Sequence, residues 1–254
     1  MSKPVAKSKI FSAIFFLTTS FFGNPVFAIN GGLPIPISWY QLGAPLVGLE
    51  TDITCAAVVL SPTRLLTAGH CVENSGTKWV TVRVFDPDSD RSEMIRAKIS
   101  LNKNYQMGFR NYPSIDGSKN DLAVVVLGQP LSIKKDTAIL PAENFRQSKF
   151  IFASSGLNMS KSTTGNSFEW FHLFMQTITI SGESSSGLLS QGINVNVGIC
   201  KVDSGGGYFL IENGAWILAA IQSVSSNAKP CNGKNDVNYA APVRQHYDWI
   251  KSFL

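Results

Sequence analysis

Asn120-Asp121-Leu122-Ala123-Val124-Val125-Val126-Leu127 puts one carboxylate at the head of an unbroken apolar run. Six apolar residues in a row, three of them valine, read as a wholly apolar strand. An aspartate opening such a strand is drawn toward the interior, where its charge needs a partner. The same composition recurs along the chain. The runs at 55–60 (CAAVVL), 79–85 (WVTVRVF), 171–180 (FHLFMQTITI) and 216–221 (WILAAI) lie between clusters of Gly, Pro, Ser and Asn. Short runs rich in Val, Ile, Thr and Phe, several alternating apolar with polar, predict an all-β chain built as a sandwich or barrel. Val243, His246 or Tyr247, Ile250 and Leu254 recur at helical spacing, so residues 243–254 are predicted to form a terminal helix. The stretch 128–147 reads as a linker between halves, and the Ser/Gly-rich stretch 181–199 as a mobile loop.

The chain has 254 residues, 44% hydrophobic and 15% charged, enough for one sizeable domain or two small ones. The formal charge of +5 overstates its basicity, because Lys3, Lys7 and Lys9 stand in an N-terminal segment without acids. Residues 29–254 carry 19 basic against 17 acidic side chains, too even a balance for a phosphate-binding surface, so nucleic acid is excluded as the expected partner. Those three lysines precede a broken apolar stretch from Ile10 to Phe22, and Asn24-Pro25-Val26-Phe27-Ala28 follows. This is the pattern of a signal peptide covering residues 1–28, cut after Ala28. The mature chain is then expected to be secreted or periplasmic, without a membrane anchor. Export favours disulfides among Cys55, Cys71, Cys200 and Cys231, with three connectivities open. With no CxxC pair and three histidines, no metal site and no cofactor are expected.

Two further segments carry chemistry. Thr67-Ala68-Gly69-His70-Cys71 fixes a histidine beside a half-cystine at a strand end, well held for proton transfer. Val202-Asp203-Ser204-Gly205-Gly206-Gly207 puts a serine before three glycines, on backbone able to approach a substrate closely. Taken together, TAGHC, NDLAVVVL and VDSGGG resemble the histidine, aspartate and serine motifs of the trypsin/chymotrypsin family of serine peptidases. They occur in that family's His, Asp, Ser order, spaced by 51 and 83 residues. YDWI at 247–250 is similar to its closing segment.

The resemblance implies two packed six-stranded antiparallel β-barrels, about 29–135 and 136–254, followed by a C-terminal helix. It implies Cys55–Cys71 and Cys200–Cys231 bridges. Ser204 would be the nucleophile, His70 the general base and then acid, and Asp121 the group that orients the imidazole. The backbone N–H groups of Val202 and Ser204 would form the oxyanion hole. Ile29-Asn30-Gly31-Gly32 resembles the family's activated N-terminus, whose ammonium would pair with Asp203, so signal cleavage alone would activate the enzyme. Gly198 and Ile199, then Ser223, Ser225 and Val237, would line the substrate pocket. Gly198 stands where trypsin-like enzymes carry an aspartate, so small or apolar residues rather than Arg or Lys are expected there. The expected partners are protein or peptide substrates, acting on a monomer. One departure matters: the family's glycine two before the serine is Val202, and losing that oxyanion donor slows chemistry by roughly 10²–10³-fold. A second reading is therefore a weak or inactive homologue that binds a protein through the same cleft.

Overall fold

A computed structural model describes residues 29–30, 33–34, 44–76, 79–87, 89, 91–109, 111, 113–141, 149–155, 157–158, 169–171, 174–184, 187–191, 198–199, 203–225 and 237–254. Residues 1–28, Cys200, Val202 and Cys231 lie outside them. The strands in chain order are β1 (Ile29–Asn30), β2 (Leu33–Pro34), β3 (Leu46–Glu50), β4 (Thr54–Ser61), β5 (Arg64–Thr67), β6 (Trp79–Phe85), β7 (Ser92–Leu101) and β8 (Ala123–Leu127). They continue with β9 (Lys149–Ser154), β10 (Leu157–Asn158), β11 (Glu169–Phe171), β12 (Phe174–Ser184), β13 (Gly187–Gln191), β14 (Gly198–Ile199), β15 (Gly207–Glu212), β16 (Ala215–Ser225) and β17 (Val237–Pro242).

Strands β3-β4-β5-β8-β7-β6 close into an antiparallel barrel. Its strands follow the burial their sequences dictate. In β7, Ile95, Ala97 and Ile99 point into the core while Arg96 and Lys98 face solvent. In β8, Ala123, Val124, Val125 and Leu127 are buried, as an unbroken apolar run requires. The second sheet also returns on itself. β9 pairs with β12, β12 with β13, β13 with β17, β17 with β16, β16 with β15 and β15 with β9, all antiparallel. The long β12 does double service: its first half lies on β9, its second half on β13. β2 adds at Phe174 and Met175.

One apolar core runs through both sheets, from Leu46, Leu65 and Val125 to Phe209, Trp216, Ile221 and Ile250. The connection between the halves is clamped to it. Ile133 and Ala138 are buried, Ile139 bridges in parallel to Ile217, and Lys135 pairs with Asp86 at 2.6 Å with only 5% of the lysine side chain exposed.

Two expectations are corrected. The stretch 181–199 is not simply a loop, because β12 extends to Ser184, β13 follows, and β14 pairs with β1. Its Ser and Gly content reads as irregular, yet β13 is bonded on both sides, to β12 and β17, and those ladders override local propensity. The terminal helix is also shorter than 243–254. It begins as a 3₁₀ turn at Arg244–His246 and becomes α-helical only at Tyr247–Lys251, burying Ile250.

Candidate active site

His70 follows β5 in a tight 3₁₀ turn, Gly69–Cys71, and the turn is tied back to β4 by a Cys55–Cys71 disulfide. Both half-cystines are 1% exposed. That bridge is one of the two expected; Cys200 and Cys231 lie outside the described residues. The ligand atoms of Cys55, His70 and Cys71 come within 4.8 Å of one another, but both sulfurs are spent in the disulfide and offer no thiolate to a metal.

Asp121 stands immediately before β8 and is fully buried. Its carboxylate is engaged by three donors. The His70 backbone N–H donates to Oδ1 at 2.8 Å, His70 Nδ1 lies 2.7 Å from Oδ2, and Ser223 Oγ donates to Oδ2 at 2.5 Å. A carboxylate in the interior demands such partners. With Asp121 accepting at Nδ1, the neutral imidazole carries its proton there and presents Nε2 as the base.

Ser204 is 7% exposed and belongs to the turn between Asp203 and β15. The first barrel seats that turn, because Ala56 N–H in β4 donates to Ser204 O at 2.8 Å. On the other side Gly205 N–H donates to Gln222 O at 2.9 Å, and Gln222 N–H to Gly206 O at 2.8 Å. Gly205 has φ +81, and a Cβ there would lie 2.0 Å from Ala56 O. Only glycine permits both that backbone conformation and that approach. Ser204 Oγ donates to Ser223 O at 3.4 Å. Ser223 therefore touches both Ser204 and Asp121, and brings the three expected side chains to one place across the two sheets.

The remaining expected residues distribute as follows. Asp203 is fully buried beside Ser204. Ile29 pairs with Ile199 and Asn30 with Gly198, so these two residues lie against β14, which precedes the serine segment in the chain. Ile199 is buried. Ser225 ends β16 and Val237 begins β17. Val202 is outside the described residues.

Sequence reasoning missed a second set around His70. Glu73, 5% exposed, accepts from Tyr105 Oη at 2.6 Å and from Gly108 N–H at 3.0 Å through one oxygen, Oε2. The segment so held packs beside the histidine. Phe109 is buried with its ring centroid 6.1 Å from that of His70, and Tyr105 meets Phe109 edge-on. No local motif marks a glutamate that bonds a loop more than 30 residues away. The third histidine also acquires a place. Asn102 Nδ2 donates to His246 Nδ1 at 3.0 Å, and His246 Nε2 donates to Lys119 O at 2.7 Å, two residues before Asp121. Burial, only partly offset by the bond to Lys119, holds the His246 imidazole below its ordinary pKa.

A closed antiparallel barrel, a second antiparallel sheet and a short terminal helix, with a buried Asp–His pair meeting a Ser-Gly-Gly turn, define the chymotrypsin-like fold. The chain belongs to the trypsin family of serine proteases: the family model described as Trypsin matches residues 37–250. It is similar to Vitamin K-dependent protein C of Mus musculus, 25% identical over 230 residues covering 83% of this chain and 48% of that protein. The same protein of Oryctolagus cuniculus is 25% identical over 229 residues, 82% of this chain and 48% of its own length. The chain thus spans about half the length of the curated relatives it matches.

Proposed function

We propose that the protein is a serine endopeptidase in which Ser204 attacks the peptide carbonyl, His70 relays the proton, and Asp121 holds the imidazole in its working tautomer. The observation that carries this reading is the grip of a fully buried carboxylate on His70, through both the backbone N–H at 2.8 Å and Nδ1 at 2.7 Å. A hydroxyl is a poor nucleophile until a base takes its proton. Nε2 of His70 accepts that proton as the Ser204–carbonyl bond forms. The imidazolium then returns it to the leaving amine, and an acyl-enzyme remains. Water repeats the sequence and releases the acid. Asp121 stays ionised throughout and stabilises the imidazolium between steps. The N–H groups of Val202 and Ser204 are assigned to the oxyanion.

The same reading extends to activation and location. Residues 1–28 direct export, cleavage after Ala28 frees Ile29, and its ammonium pairs with the buried Asp203 carboxylate. The pairing of Ile29 with Ile199, four residues before Asp203, supports that route. The mature enzyme works as a secreted or periplasmic monomer, with no cofactor. Among the described residues no helix is long and apolar enough to cross a membrane. The substrate residue on the acyl side of the cut bond is small or apolar rather than basic.

A second reading, a homologue that binds a protein through this cleft without cutting it, is favoured by Val202 standing where the family has glycine. One experiment separates the two: labelling of the purified chain with a fluorophosphonate, with Ser204→Ala as control. Labelling of the wild type alone supports the peptidase. Absence of labelling, with Ile29 established as the first residue, overturns it in favour of the binding protein.

A further inference from the structure

We propose that the outer face of the β6–β7 hairpin is a second grip on the substrate, taking an acidic stretch of polypeptide that carries one large apolar side chain. This deepens the peptidase reading and rests on it. The two strands alternate core-facing with solvent-facing residues, which leaves Trp79, Thr81 and Arg83 of β6 and Met94, Arg96 and Lys98 of β7 outside. Register sets Trp79 opposite Lys98, Thr81 opposite Arg96 and Arg83 opposite Met94. The face so built holds an indole, a thioether and cations, and no acid stands on it.

Part of this face is hollow. Trp79, Met94, Arg96 and Gly128 line a recess of about 350 Å³. Ligand pockets run from roughly 300 to 1,000 Å³, so this one suits a side chain rather than a folded element. Its apolar walls are open to water, Trp79 being 48% exposed and Met94 64%. The indole is nonetheless held in place. The Arg96 guanidinium lies 5.7 Å from its ring centroid. Gly128 N–H donates to Arg96 O at 2.8 Å, and a Cβ on Gly128 would lie 3.3 Å from the indole ring. An aromatic wall already placed gives up little freedom on binding.

Charge selects the occupant. Arg83 pairs with Glu50 at 3.2 Å, but among the described residues no acid pairs with Arg96 or Lys98. Residues 29–254 are close to neutral overall, with 19 basic against 17 acidic side chains, so cations gathered on a face without acids draw an anionic segment. A second copy in a two-fold contact would set these cations against themselves. The N-terminal segment, with Lys3, Lys7 and Lys9 and no acid, is repelled in the same way. A sulfated polysaccharide answers the charge but leaves Trp79 and Met94 uncovered, whereas a polypeptide brings acids and an apolar side chain together. Gly128 lies seven residues beyond Asp121 along β8, roughly 23 Å on an extended chain. The recess therefore engages a part of the substrate well away from the cut bond.

The probe is a dye-labelled peptide, Glu-Asp-Glu-Phe-Glu-Asp-Glu, titrated by anisotropy into the full chain carrying Ser204→Ala, so that nothing is cut. It should bind more weakly as salt rises. Its affinity should fall at least about tenfold with Trp79→Ala, with Arg96→Glu, with Ala for its Phe, or with Gln and Asn for its acids. Both side chains are exposed and outside the catalytic machinery, so with Ser204 intact each variant should label with fluorophosphonate at the wild-type rate. Joined to a cleavable peptide by a Gly/Ser linker of about 16 residues, which averages roughly 20–24 Å, the acidic sequence should raise kcat/KM at least about tenfold through KM alone. Arg96→Glu should abolish that gain, and it supplies the comparison if Trp79→Ala does not fold. No binding, or binding indifferent to Arg96 or to the Phe, overturns the proposal. A dimer that Trp79→Ala dissolves overturns it in favour of a second copy, and heparin that binds equally well without Trp79 overturns it in favour of a glycan. With labelling intact, each of these leaves the peptidase reading standing. Peptide binding without any labelling or cleavage overturns the peptidase reading, and with it the recess as a grip on substrate.

Discussion

Replacing Gly205 with alanine adds one methyl group, at the point where the serine turn meets the first barrel. The new Cβ would lie 2.0 Å from Ala56 O and 2.4 Å from Thr67 Oγ1, against the 3.4 Å at which ordinary contact begins. Neither atom is the end of a flexible chain. Ala56 O is main chain in β4, and it holds Thr67 Oγ1 at 2.7 Å in a buried hydrogen bond. The turn or the strand must therefore yield by more than 1 Å. Such a shift breaks the Ala56 N–H to Ser204 O bond, now 2.8 Å, at a cost of about 1–1.5 kcal/mol. Holding alanine at φ +81 adds roughly 1–2 kcal/mol. The sum, about 3 kcal/mol, corresponds to a fall in Tm of roughly 6–12 °C for a domain of this size. The effect on chemistry should be larger, because a displacement of about 1 Å at a reacting group costs on the order of 10²-fold. Calorimetry reads the first quantity, and the rate of fluorophosphonate labelling of Ser204 reads the second. A Gly205→Ala protein that melts within a degree or so of wild type and labels at the same rate would refute the claim that this contact seats the nucleophile.

Ser223→Ala removes one of the donors to a fully buried carboxylate, so stability should drop by about 1.5–3 kcal/mol in a denaturant titration, with slower labelling of Ser204. Glu73→Ala removes the acceptor shared by the Tyr105 hydroxyl and the Gly108 N–H and loosens the segment that packs Phe109 beside His70. Its kcat/KM should fall, and Glu73→Gln, which keeps an acceptor, should restore most of it. Since burial holds the His246 pKa below 6.5, the unfolded chain protonates first on acidification. Stability from this group is complete above about pH 6.5 and declines as pH falls toward the folded value; the loss between about pH 7 and 5 should be shallower in His246→Gln, read by melting temperature. Replacing Cys55 and Cys71 by serine reopens a link of sequence separation 16, and thermal unfolding should show a loss of about 2–4 kcal/mol.

What was legible in the sequence is what local pattern encodes. The β6 run Trp79–Phe85 and the β8 run ending at Leu127 are visible because period-two or unbroken apolarity follows from which faces are buried. His70, Asp121 and Ser204 were visible because each stands in a short motif, and two of the three depend on neighbours of special geometry, the half-cystine Cys71 and the glycine Gly205. Residues whose work is done across long separations left no such trace. Glu73 looks like any acid in a loop until Tyr105 and Gly108 close on it. The β13 strand was hidden for a related reason: its Ser and Gly content encodes no strand, and its pairing partners supply one.

That difference explains why the site depends on the seam between the sheets. Asp121 belongs to the first barrel, yet Ser223 of β16 donates to its carboxylate; Ser204 precedes β15, yet Ala56 of β4 holds its carbonyl. Each sheet supplies one reacting element and the brace for the other's. Two further bonds close the same seam, Arg64 Nε to Phe253 O at 2.7 Å and Asn102 to His246 at 3.0 Å. A buried hydrogen bond braces a side chain only while both partners are fixed, and an unpaired buried carboxylate is costly. Loosening the seam at the terminal segment therefore exposes Asp121 to the loss of Ser223 before it disturbs either barrel's own ladders. Arg64→Ala, remote from Ser204 in sequence and absent from the reacting group, should slow labelling of Ser204 more than it lowers the melting temperature. Equal proportional effects on both would show that the barrels hold their halves of the site independently.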